Sequence, residues 1–167
     1  MTLQRATAAL VALLAIILLV TWARAEGPLR SPDQAFDDFV RAEGRAEDQL
    51  TDPLVLAGPR VRPVVLAAVQ DRGFKLRRYA IRYLGCTRYG RAAPVFKTIV
   101  EDQSEQDSFR ADALEAIWSM NPDEGHVLAT TYSSRSDLLG TLAKGLLSGE
   151  APAKCRTLTD ALLHRHE

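Results

Sequence analysis

Eight basic side chains and no acidic one fall between Arg72 and Lys97, and Tyr79, Tyr83 and Tyr89 are interleaved with them. Cations alternating with aromatic faces are the chemistry of a polyanion surface. Other reactive groupings are sparse. His164 and His166 end the chain as His-Arg-His-Glu, which offers two nitrogens where a structural zinc site takes four ligands, so no metal site is expected. Asp123 and Glu124 sit beside His126, yet acids at a helix start are accounted for by the helix dipole. Ser133, Ser134 and Ser136 have no His and acid in a recognisable nucleophile arrangement, and no glycine-rich phosphate loop occurs. The residues therefore point to a chain that is not an enzyme and carries no cofactor.

The N-terminus says where the chain goes. Arg5 precedes an unbroken apolar run, Ala6–Trp22, and Ala23-Arg24-Ala25 supplies the small-x-small pattern of a signal-peptidase site. Cleavage is expected after Ala25, giving a secreted or periplasmic protein. The alternative is a retained membrane anchor facing outside the cytoplasm, because the run is also near the lower limit for a bilayer span. Cleavage would remove Arg5 and Arg24 and no acid, leaving 19 basic and 21 acidic side chains. That balance excludes the net basic footprint that nucleic-acid binding needs.

Cys86 and Cys155 admit a single pairing, and an oxidising compartment permits it. Cys155 lies in a C-terminal segment that needs tethering, which favours the bridge over two separate thiols.

These side chains must be positioned by helices, since no stretch alternates long enough to be a strand. Ser31-Pro32-Asp33-Gln34 reads as a capped helix start with Phe36, Phe39 and Val40 on one apolar face. Further helices are expected over Pro59–Gln70, Lys75–Gly85, Gly90–Glu101 and Ser108–Met120, then from Pro122, and finally over Asp137–Leu147. The first of these should turn Val61, Val64, Val65, Ala68 and Val69 inward.

The helices repeat. VVLAAVQD (64–71) lies over VFKTIVED (95–102), and RRYAIRYLG (77–85) over RADALEAIW (110–118), so that Arg77, Ala80, Ile81 and Leu84 match Arg110, Ala113, Leu114 and Ile117. Arg135, Leu139 and Leu142 continue the pattern in a weaker third unit. A period near 32 residues with two helices per unit is the signature of an α-solenoid. The pattern resembles HEAT repeats, in particular the short HEAT-like repeats of the phycobilisome-lyase type, whose units carry an Asp after the first helix and an Arg near the start of the second. Here those are Asp71 with Arg77 and Asp102 with Arg110. The resemblance spans about 54–149 and implies an all-α, α-α superhelix of about three helix pairs. Residues 26–53 would form an N-terminal helical cap, and 150–167 a tail with a short helix.

Arg77 and Arg110 are expected to be structural, bonding Asp71 and Asp102 or the carbonyls of neighbouring turns. The second helices would line a concave, partner-facing surface carrying Arg78, Tyr79, Arg82, Ala111, Asp112 and Glu115. The basic unit is flanked by acidic ones: residues 101–115 hold six acids and one arginine, and residues 33–52 hold seven acids and two arginines. Adjacent units of a solenoid are spatial neighbours, so Arg82 is expected to meet Glu115. Trp118 is expected between units or as an exposed anchor. The function implied is a protein-binding or scaffold module, with a membrane-tethered assembly factor of the same fold as the alternative. Some HEAT-like proteins are bilin lyases, a rival that an export signal argues against.

Overall fold

A computed structural model describes residues 31–163; the expected signal segment, its cleavage point after Ala25, and His164 and His166 lie outside the described residues. Every regular element among the described residues is helical. α1 (Pro32–Arg41) begins at the expected cap: Ser31 Oγ accepts from the Gln34 amide and Gln34 Oε1 from the Ser31 amide, both at 3.1 Å. Its buried face differs from the expected one. Ala35 and Phe39 are fully buried while Val40 is 39% exposed, and Phe36 joins Phe39 and Phe74 in an aromatic cluster. That cluster seats the cap on the turn between the next two long helices.

α2 (Asp52–Ala57) ends at Gly58, whose φ of 70° few other residues adopt comfortably. The helix expected from Pro59 to Gln70 is broken into a 3₁₀ turn, Gly58–Val61, and α3, Arg62–Val69. Pro63 has no N–H to offer an α-helical bond to Pro59, so the first turn tightens. Val61, Val65 and Val69 are buried; Val64 and Ala68 are only partly so. α4 (Arg77–Cys86) completes the first pair. A second 3₁₀ turn (Gly90–Ala92) leads into α5 (Ala93–Glu101), which pairs with α6 (Asp107–Met120). α7 (Pro122–Tyr132) pairs with α8 (Leu138–Leu147), and α9 (Leu158–Leu163) ends the described chain.

The result is an α-α superhelix of three helix pairs behind a helical cap. The first pair packs on the second through α4 and α6, and α6 in turn packs on both helices of the third pair, α7 and α8. Ala80, Ile81, Leu84, Ala113, Leu114 and Ile117, aligned by the repeat, are all buried, as is Leu139. Each fully buried Leu or Ile is worth about 1.5–3 kcal/mol against exposure. Two glycines set how closely helices approach. A Cβ on Gly85 would lie 2.7 Å from the Ala116 Cβ, and one on Gly125 would lie 2.6 Å from the Trp118 Cα. Trp118 is half-buried, with its ring 6.2 Å from that of His126 across α6 and α7.

The repeated arginines act through carbonyls, not through the repeated aspartates. Arg77 is 3% exposed; its Nε donates to the Val69 carbonyl at 2.7 Å and its Nη1 to Glu105 of the next pair at 2.6 Å. Arg110 repeats the first bond, to the Val100 carbonyl at 2.9 Å, and bonds Asp107 at 3.1 Å. Each guanidinium lies over an aromatic ring of the following pair or helix, Phe109 for Arg77 and Tyr132 for Arg110. A buried guanidinium thus closes the C-terminus of the first helix, where carbonyls lack partners. Asp71 instead accepts from the Gly73 amide at 2.8 Å, a turn within its own loop. Asp102 caps Ser104 and takes Arg72 as its ion-pair partner, which does join two pairs. Arg135 departs from the series: α8 starts after it, so it stays 39% exposed, bonds Asp137 in the turn and lies 3.7 Å from Asp107 at the start of α6.

Candidate functional site

The second-helix face is crossed by the chain's own C-terminal segment. α8 ends in a Schellman turn: Gly149, at φ 95°, donates to the Leu146 carbonyl, and Glu150 donates to that of Gly145. The chain reverses there and runs without regular structure through residues 151–157, back past α6 and α4 to α2. Three kinds of bond hold this strap. The Ala153 amide donates to Glu115 Oε1 on α6 at 2.5 Å. Cys155 is disulfide-bonded to Cys86 on α4, with Cα atoms 5.5 Å apart. Arg156, 14% exposed, forks onto Asp52 at the start of α2, with Asp48 at 3.9 Å. α9 then docks on α2 through the buried Ala161, capped by a reciprocal Thr157–Asp160 pair.

The strap changes the fate of the expected binding face. Arg78 lies 3.3 Å from Asp112, one position away from the Arg82–Glu115 pairing the repeat suggested. Glu115 is taken by the Ala153 main chain. Asp112 keeps one carboxylate oxygen buried without a hydrogen bond, since the Arg78 contact is an ion pair of poor hydrogen-bond geometry. Burial, with Glu115 adding to it, pushes its carboxyl up to about 6 against the opposing pull of Arg78 and Arg82.

Tyr79 and Arg82 remain available. They line a cleft of about 650 Å³ between α2, α4 and the strap, together with Val55, Thr87, Lys154 and the disulfide. Arg82 and Lys154 act on their surroundings only through space, Arg82 on Asp112 and Lys154 on Asp160, with no direct hydrogen bond to another described residue. Tyr83 forms part of the same wall; its hydroxyl bonds the Leu54 and Gly58 carbonyls at 3.2 Å each, and burial pushes its phenol up. It therefore anchors α4 to α2 instead of facing a ligand. On the other side of the disulfide a shallower hollow of about 430 Å³ is bordered by Trp118, Pro122 and Pro152. The bridge consequently stands between two open spaces.

Sequence reasoning brought Cys86 and Cys155 together and placed Tyr79 and Arg82 on one face. It missed Glu105, Asp52, Arg156 and Lys154. Thr157-Leu-Thr-Asp160 is a capping-box spelling that marks the terminal helix, but nothing local marks where that helix docks. Among the described residues no group of His, Cys, Asp and Glu could hold a metal, and no helix is long and apolar enough to cross a membrane. No family model, curated protein or solved structure matches the chain.

Proposed function

We propose that the chain is an exported, non-catalytic binding module of HEAT-like repeats, acting on a protein partner through the groove beside its strap. One observation carries this reading. On the second-helix face, where Arg78, Asp112 and Glu115 are engaged within the chain, Tyr79 and Arg82 still front an open cleft with a disulfide-fixed wall. A preorganised cleft lowers the ordering cost of binding, and its mixed polar and apolar lining is what recognition sites use. The disulfide supports export, because such bonds persist outside the reducing cytosol. The apolar run at Ala6–Trp22 leaves open release by cleavage or tethering by retention, and both deliver the same module to the same side of the membrane.

A photo-crosslinking side chain at position 79, compared with one at the exposed Lys97 on α5, tests the reading in the native envelope. Discrete crosslinked protein from 79 and none from 97 is the expected result. Equal yields from both, or none from either, would overturn it.

A further inference from the structure

The cations of the cleft that make no hydrogen bond identify what enters it. Of the cations on its walls, Arg156 is committed to Asp52 and Asp48, leaving Arg82 from α4 and Lys154 from the strap. The acids on the rim are Glu47, Asp48 and Asp160, and Asp160 is held by Thr157. Three acids against three bases leave no strong positive field. A doubly charged phosphate would be opposed by the rim, whereas a single carboxylate needs only two donors, and Arg82 and Lys154 have no hydrogen bond to give up although each also acts through space on an acid, Asp112 and Asp160 respectively. The rest of the wall is apolar or aromatic: Val55, the Tyr79 ring and the disulfide. The same face already accepts an extended main chain, because the strap lies along it with a backbone amide on Glu115.

We propose that this cleft is a subsite for the C-terminal carboxylate of an extended peptide, held by Arg82 and Lys154, with the apolar last side chain against Val55 and Tyr79. Because Lys154 neighbours Cys155, the disulfide fixes one of the two cations in place. The proposal rests on the binding-module reading and narrows its partner to one that presents a free chain end.

The test uses the full chain with its disulfide intact, followed by amide NMR during titration. The probes are acetyl-Ala-Ala-Ala-Leu as the free acid, the same peptide as its C-terminal amide, and 4-methylpentanoate. The acid should shift the amides of Tyr79, Arg82, Thr87 and Lys154, and the peptide amide and 4-methylpentanoate should each bind at least about tenfold more weakly, the loss expected for removing a charged or main-chain contact. Arg82→Gln and Lys154→Gln should each weaken the acid about tenfold or more, while Arg91→Gln, outside the cleft, should leave it unchanged. Lys154 is exposed on the strap, so its variant tests the site without disturbing the core. Acid and amide titrating alike, 4-methylpentanoate binding as tightly as the peptide, or shifts elsewhere would overturn the proposal. Crosslinking from position 79 would still succeed if only this narrower claim failed.

Discussion

Arg77 Nη1 lies 2.6 Å from Glu105 Oε2, and both side chains are almost wholly buried. The bond joins the first helix pair to the second while Arg77 Nε closes α3 through the Val69 carbonyl. One guanidinium therefore fixes a pair internally and sets its angle to the next.

Arg77→Met removes both bonds and leaves the buried Glu105 carboxylate with only the longer ion pair to Arg72 at 3.7 Å, which should cost about 3 kcal/mol or more. Glu105→Gln keeps an acceptor for the guanidinium and should cost only about 1–2 kcal/mol. Replacing both partners together, as Arg77→Met with Glu105→Leu, should cost less than Arg77→Met alone. Urea unfolding followed by circular dichroism measures all three. An Arg77→Met protein as stable as the parent would contradict this role.

That pair also shows what could be read in advance. Arg77 and Arg110 were legible as repeat positions because their apolar neighbours recur at helical spacing in both units. Main-chain carbonyls were one of the two kinds of partner expected for them, but the acid that meets Arg77 was not legible. Of the aspartates that recur in sequence, Asp71 faces its own loop and Asp102 takes Arg72, and the acid that meets Arg77 lies between Asp102 and Arg110, a spacing two residues longer than that from Asp71 to Arg77, where no repeat aligns it. The strap was harder still. Its bonds join residues 38 and 104 apart, and the Glu115 bond is to a main-chain amide that no side-chain pattern can reveal. Cys86 and Cys155 were the exception, because two cysteines leave one pairing.

Asp112 should make stability depend on pH. Its carboxyl, pushed up to about 6 from an ordinary 3.8, holds a proton in the folded state that the unfolded chain has released. Stability from this group is therefore full below the ordinary carboxylate range and falls as pH rises towards about 6, by at most about 3 kcal/mol. Asp112→Asn should raise the urea midpoint at pH 7.5, by the equivalent of about 1–3 kcal/mol, and change little at pH 3.5. Parallel pH profiles for the two proteins would show that Asp112 does not carry the effect.

Gly85 allows α4 and α6 to touch. Gly85→Ala adds a methyl group 2.7 Å from the Ala116 Cβ, an overlap that the backbone must open to relieve. Overpacking of this kind costs about 1–3 kcal/mol, offset by about 1 kcal/mol of improved helix propensity. A net loss of about 1–2 kcal/mol is expected in thermal or urea unfolding. Ala116→Gly should recover only part of it in the double variant, because it removes the Cβ but leaves the Ala116 Cα 2.8 Å from the added methyl group.

The disulfide closes a loop between residues 69 apart. Chain entropy predicts that Cys86→Ser with Cys155→Ser lowers unfolding free energy by about 4 kcal/mol. The helix pairs should survive, since their buried residues lie mainly on α3 to α8 and not on the strap. Unchanged helical circular dichroism with a lower urea midpoint is the expected pattern.

The C-terminal segment lies across the second helices, held there by the bridge and by Glu115. Hydrogen exchange at the Ala153 amide, read residue by residue by NMR, tests it most directly. In the oxidised protein this amide should be protected although its segment has no regular structure. After the double Cys→Ser change its protection should fall to that of an open chain, while Ile81 and Leu114 stay protected. An Ala153 amide that exchanges freely with the disulfide intact would contradict the account.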